Sequence, residues 1–94
     1  MEFEWDEDKR LKIVRERGID LRRVVRIFEN PVVSWRDDRR AYGEVRHISI
    51  GLVDDECFVV VHTRRRNVIR VITAWKGGKR EKARYQASNA RTDP

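Results

Sequence analysis

The chain of 94 residues has one cysteine, two histidines and two prolines. Its single cysteine, Cys57, cannot form an internal disulfide. Lying in an apolar run, it reads as a small buried hydrophobe of a reducing compartment. No apolar stretch reaches the roughly 18–20 residues that a bilayer-spanning helix needs. The first residues are acidic (Met-Glu-Phe-Glu-Trp-Asp), where a secretory signal would be basic and then apolar, so the expected location is the cytoplasm. Also missing are a paired-cysteine or His/Cys spacing for zinc, a glycine-rich phosphate loop and a nucleophile elbow. The pair Gly77-Gly78 stands alone. Neither a metal nor a cofactor is expected.

Charge is what the chain has in abundance. It holds 22 Lys/Arg against 16 Asp/Glu, for a net charge of +6 and a pI of about 10.1. The excess is uneven: residues 1–20 carry a net −2, residues 21–61 balance, and residues 62–94 carry +8. One end of the protein is built to meet an anion. Nucleic acid, an anionic membrane surface and an acidic protein all suit such a balance. A membrane-surface helix needs an apolar face beside its basic one, and residues 76–88 are too poor in large apolar groups for that. Nucleic acid is the better fit, and an acidic protein partner is compatible with it.

The length suits one domain, burying roughly 60–70% of the unfolded chain's surface. Phe3 and Trp5 alternate with glutamates, as in a short edge strand. Asp6 is a plausible N-cap for a helix over Lys9–Arg17, with Leu11, Val14 and Ile13 as its apolar stripe and Gly18 as its stop. Asp20 opens a second helix, whose Leu21, Val24, Val25 and Phe28 fall on one face before Asn30-Pro31 ends it. The period then changes to two. Strands are expected over Val32–Trp35, Glu44–Leu52, Cys57–Thr63 and Val68–Ala74, with a charged loop at 36–40. A third helix follows over Lys79–Ser88. This order predicts an α+β fold: two N-terminal helices, an antiparallel meander of three or four strands, and a C-terminal helix. Residues 1–88 form the single domain and 89–94 a flexible tail. The helices cover one sheet face, and a site is expected on the other.

The candidate residues cluster toward the C-terminal half. Arg70 interrupts an apolar strand, so it either pairs with a carboxylate or aims its guanidinium at phosphate from a rigid element. Arg64, Arg65 and Arg66 are either a solvated turn or a means of positioning a phosphate backbone. Glu81 and Tyr85 share a helix face. They are a surface carboxylate beside a half-buried ring, or a base or arginine-orienting group beside a hydrogen-bond donor or stacking ring. Trp75 caps the core or serves as a stacking platform. His62 shares strand parity with Phe58 and Val60, which favours a structural role, and His47 shares a face with Ser49. A two-histidine acid–base pair would need them adjacent across strands.

A collinear series runs through the chain: Trp5-Asp6, Lys9, Gly18-Ile19-Asp20-Leu21, Phe28-Glu29-Asn30-Pro31, Tyr42-Gly43-Glu44, Arg46, Ile50-Gly51, Thr63, Arg65, Arg70-Val71-Ile72-Thr73-Ala74, Glu81 and Tyr85. Over about residues 2–86 it resembles the BrnT family, toxins of bacterial type II toxin–antitoxin systems. The resemblance implies a RelE-like fold and a metal-independent ribonuclease that inhibits translation. It also implies a BrnA-like antitoxin with a ribbon-helix-helix domain, through which alone the complex would meet operator DNA. In such a toxin the 2′-hydroxyl attacks the adjacent phosphate. Arg65, Arg70, Glu81 and Tyr85 are then the catalytic candidates, and Arg46, Arg64, Arg66, Trp75, Lys76, Lys79 and Arg80 the RNA-binding ones. The chain departs from the family pattern at Ile13 (usually Asn), Glu16-Arg17 (usually Lys-His), Arg66 (often Gly) and Trp75 (the arginine of a Ser-Ala-Arg motif). A non-catalytic module that binds nucleic acid or an antitoxin is the alternative.

Overall fold

Two N-terminal helices form where the capping residues direct. In a computed structural model describing residues 1–92, with side chains through Ser88, strand β1 (Glu2–Glu4) leads into helix α1 (Glu7–Arg17). Asp6 caps α1 by accepting from the Lys9 amide at 3.2 Å. Gly18, at φ +67°, closes it in the left-handed conformation and donates its N–H to the Val14 carbonyl. The expected stripe is only partly the buried one. Ile13 is in the core, but Leu11 and Val14 are 42% and 37% exposed. Arg10, three residues before Ile13, takes the inner position instead, because its guanidinium binds Glu7 and reaches Asp20, 3.0 Å away. That ion pair ties α1 to the cap of α2 (Leu21–Val24), where Asp20 also accepts from the Arg22 amide.

Helix α2 does not continue through Phe28 as its spacing suggests. It tightens after one turn into a 3-10 helix, Val25–Glu29. Three residues per turn instead of 3.6 swing Ile27 into the core, fully buried, and leave Phe28 half-buried against Phe3 and His62.

The strands β2 (Val33–Arg36), β3 (His47–Val53), β4 (Glu56–Arg65) and β5 (Val68–Lys76) form the antiparallel meander. The sheet has five strands, not four, in the order β1-β5-β4-β3-β2. The added strand, β1, pairs in parallel with β5, Phe3 opposite Ile69 and Glu4 opposite Arg70, so the sheet is mixed. Asp54 and Asp55, both at positive φ, make the tight β3–β4 turn. Arg66-Asn67 makes the β4–β5 turn. Between them, β5 carries a bulge: Val61 faces Thr73 but His62 faces Val71, which leaves Ile72 as the extra residue.

Each sheet face has its own core. On one, Ile13, Leu21, Val24, Val25 and Ile27 pack on Phe58, Val60, Val71 and Ala74. On the other, Ile48, Ile50, Cys57, Val59 and Val61 gather around Tyr85 of helix α3 (Lys79–Thr92), with Trp35, Leu52, Ile72 and Trp75 at the rim. The second face is therefore partly covered rather than wholly open. Helix α3 runs past Ser88, so residues 89–92 of the expected tail are helical, and 93–94 lie outside the described residues. No described helix is long and apolar enough to cross a membrane.

The 3-10 helix sits directly on β3. A Cβ at Gly51 would stand 2.7 Å from the Ile27 Cβ and 3.1 Å from the Val32 Cγ1. We expect Gly51→Ala to destabilise the fold by about 1–3 kcal/mol, as overpacking does, seen as a lower denaturation midpoint at unchanged slope.

Candidate functional site

Most cations of the N-terminal half are neutralised where they stand. Arg22 pairs with Asp20, Arg23 with Glu56, and Arg39 with the buried Asp37. Among the described residues, no carboxylate pairs with Arg64, Arg65, Arg66, Lys79, Arg80, Lys82 or Arg84. These fall in two groups at opposite ends of β5, a strand of nine residues and so about 26 Å long at 3.3 Å per residue.

The first group is at the β4–β5 hairpin. Thr63 is the last buried residue of β4, its hydroxyl donating to the Val45 carbonyl at 2.7 Å. Beyond it Arg64 and Arg65 emerge from the sheet. Together with Glu44, Val45, His47 and Thr63 they line an open pocket of about 330 Å³. Asp37 organises the loop that forms its other wall. It accepts from the Arg39 guanidinium and the Tyr42 hydroxyl, and its amide donates to the Arg46 carbonyl. The Arg39 guanidinium holds its carboxyl well below the usual range. Arg46 lies 4.1 Å over the Tyr42 ring and 3.3 Å from Glu44. Arg66 occupies the turn at φ +57°, a region that favours glycine.

The two histidines do meet. His47 and His62 are directly opposite across β3 and β4, their rings stacked at 6.1 Å. They differ in freedom. Buried Ser49 bonds the His62 Nε2 at 2.7 Å and the Ser34 hydroxyl at 2.6 Å, while the Phe28 ring lies edge-on to His62. Burial pushes the His62 pKa down to about 4, helped by His47 and Arg64. His62 is a neutral structural residue. His47 lines the pocket with the arginines.

Arg70 is half-buried, with Glu4 of β1 3.6 Å away. That separation is too long for a hydrogen bond, so the pairing leaves the guanidinium's donors open. The positive field extends to α1: burial lowers the Lys9 pKa, and the charges of Arg17 and Arg46 lower it further. Arg17 itself is anchored on β5, donating to the Thr73 hydroxyl and the Ala74 carbonyl at 2.8 Å.

The second group opens α3. Lys79, Arg80, Lys82 and Arg84 crowd its first turns, where the helix dipole disfavours cations; Glu81 is the one acid among them. A second open pocket, of about 410 Å³, is lined by Trp35, Ile50, Arg80, Glu81 and Arg84. The Arg84 guanidinium lies 3.7 Å over the Trp35 ring. Trp75 is half-buried at the core rim, and Lys76 is 3.6 Å from Glu56. Of the two readings of Tyr85, a ring packed on the core or a donor to substrate, its position fits the first. It is 6% exposed, and its hydroxyl donates to the Pro31 carbonyl at 3.0 Å. Cys57 is fully buried, and desolvation raises its thiol pKa.

Arg65 and Arg70 therefore belong to the hairpin half, while Glu81 and Tyr85 belong to the α3 end. The four do not form one constellation. The sequence reading did not join His47 to the arginines, or Arg84 to Trp35. The first was within reach: a two-residue Asp54-Asp55 turn sets the register that pairs His47 with His62. The second was not, because Trp35 and Arg84 are brought together only when α3 folds over the sheet.

The depressed His62 pKa has a pH consequence. Between about 6.5, its ordinary value, and about 4, the unfolded chain takes up a proton that the folded one refuses. Stability should fall as pH drops through that window, and His62→Gln should flatten this part of a urea-denaturation profile. Separately, Arg66→Gly should relieve the left-handed turn and raise stability by about 0.5–2 kcal/mol, read as a higher thermal midpoint.

A profile of the family described as "Ribonuclease toxin, BrnT, of type II toxin-antitoxin system" matches residues 5–81. No curated protein matches the chain. The matched stretch spans every strand from β2 to β5 and the first turn of α3, including the hairpin pocket. The chain belongs to the BrnT family, the ribonuclease toxins of type II toxin–antitoxin systems.

Proposed function

We propose that this toxin cleaves RNA at the β4–β5 hairpin, without a metal ion, and thereby inhibits translation in the cytoplasm. The observation that carries the assignment is the shared pocket of Arg64, Arg65 and His47, in which neither guanidinium has a described carboxylate partner. His47 takes the proton from the ribose 2′-hydroxyl. The 2′-oxygen then attacks the adjacent phosphorus, the bond to the 5′-oxygen breaks, and that oxygen takes a proton from water, to which His47 returns the one it accepted. The products are a 2′,3′-cyclic phosphate and a 5′-hydroxyl end. Arg65, with Arg64 beside it, neutralises the charge that builds on the phosphoryl oxygens, where fixed donors are most effective. Arg70 and Arg46 extend the field along the sheet, and Arg66 contacts the backbone from the turn.

Glu81 and Tyr85 are left out of the cleavage step, Glu81 by its distance along β5 and Tyr85 by its committed hydroxyl. Lys79 and Arg80, exposed at the other end of the sheet, guide the strand away from the cut, with Lys76 and Trp75 between. Two helices, an antiparallel meander and a C-terminal helix support a RelE-like reading of the fold. The unpaired cations suit an acidic segment of a BrnA-like ribbon-helix-helix antitoxin, which would bring the complex to operator DNA.

The test is incubation of the purified protein with ribosome-free RNA in EDTA. Wild type should yield fragments ending in 2′,3′-cyclic phosphate. His47→Gln should lower kcat/KM by about 10²–10⁴-fold, the usual worth of a positioned acid–base group, and the Arg65→Ala/Arg70→Ala double variant should abolish cleavage with an unchanged circular dichroism spectrum. Full activity in either variant would overturn the site. Intact RNA, bound with a log–log salt slope of about −0.7 per neutralised phosphate, would instead mark a non-catalytic module.

A further inference from the structure

The pocket at the start of α3 has the composition of a nucleobase slot rather than of a phosphate cradle. Its floor is Ile50 and its wall the Trp35 ring, with the Arg84 guanidinium stacked 3.7 Å over that ring. The guanidinium covers the ring, so its own outer plane, backed by Trp35, is the surface offered to an unpaired RNA base, which stacks on arginine planes. Into the same space projects Glu81, half-buried, and no described residue hydrogen-bonds or ion-pairs with its carboxylate. Arg84, one turn on, is drawn to Trp35 instead. A carboxylate flanked by cations yet engaged by none is poor at binding phosphate, which it repels. It is well suited to a base edge bearing two adjacent donors. Guanine alone among the four RNA bases presents such an edge, with N1–H beside the 2-amino group, spaced to meet the two oxygens of one carboxylate. Its O6, next along, is an acceptor suited to Arg80.

We infer that this slot, formed by Trp35, Arg84, Glu81 and Arg80, binds a single unpaired guanine of the RNA and sets the toxin's sequence preference. The inference rests on the hairpin reading for its direction: the slot would hold a base a few nucleotides from the cut. Trp35 is at the level of Val61 in the sheet. Arg65 is four residues further along β4, about 13 Å, and β4 is two strands from β2, about 10 Å across. A single strand running from the slot along the α3 face reaches Arg65 at the end of the sheet, where the hairpin pocket opens.

Binding can be measured without cleavage, using 2′-O-methyl pentanucleotides UUGUU, UUAUU and UUIUU, where inosine lacks the 2-amino group. Trp fluorescence quenching reports occupancy, with Trp35→Phe identifying the quenched ring. Wild type should prefer UUGUU over UUAUU by about tenfold or more, as a good bidentate base contact does, with UUIUU between them. Glu81→Gln should bring the three within about threefold of one another. Equal binding of all three by wild type, or an undiminished preference in Glu81→Gln, would overturn the slot. The matching 2′-hydroxyl RNAs separate this result from the ribonuclease reading: guanine preference with no cleavage refutes the hairpin site and upholds the slot, and cleavage without preference does the reverse.

Discussion

Strand β4 is buried on both faces, and that constraint shapes the rest of the molecule. From Cys57 to Val61 no residue exceeds 2% exposure. Phe58 and Val60 face the N-terminal helices, while Cys57, Val59 and Val61 face α3. A strand in that position accepts no unpaired charge, since a buried ion without a partner is far costlier than any packing gain around it. In a chain with 40% charged residues, the charges are thereby driven to strand ends, edges and turns. The arginines begin at once beyond Thr63, on the exposed last two residues of β4, and the cations of α3 gather where the chain has just left β5.

Charge is sorted as well as displaced. Around the N-terminal helices, ion pairs serve the fold: Arg10 joins α1 to the cap of α2, and Arg23 reaches from α2 to Glu56 on β4. Such exposed or half-exposed pairs add little stability individually, but they neutralise Arg10, Arg22 and Arg23 where they stand. The same economy is absent at the hairpin and at the head of α3, where like charges stand together and, at α3, against the helix dipole. Folding alone does not account for those two groups. Like charges grouped in this way suit an anionic partner.

The polar pair behind the hairpin shows how the two demands meet. Ser34, Ser49 and His62 form a hydrogen-bonded chain under Phe28 that stiffens the β2–β3–β4 region. Directly opposite His62, the His47 ring has no hydrogen-bond partner among the described residues and lines the arginine pocket. A rigid, buried His62 thus backs the wall from which His47 faces the pocket.

Local chemistry made much of this legible in advance. The caps Asp6 and Asp20, the Gly18 stop, the meander and the concentration of cations after residue 62 depend on neighbours a few residues apart, and they stand where composition and spacing put them. The inward turn of Ile27 was not legible, because winding shifts to 3-10 only once the segment lies against Gly51. Neither was the parallel pairing of β1 with β5, which joins segments more than sixty residues apart. The family resemblance correctly identified the ribonuclease toxin. Composition and spacing settled which half of the chain carries the excess cations. Tertiary structure alone decided their grouping: Arg65 went to His47 and Glu81 to Trp35, because β5 holds the two ends apart and α3 returns over the sheet, and side-chain reach is far shorter than either span.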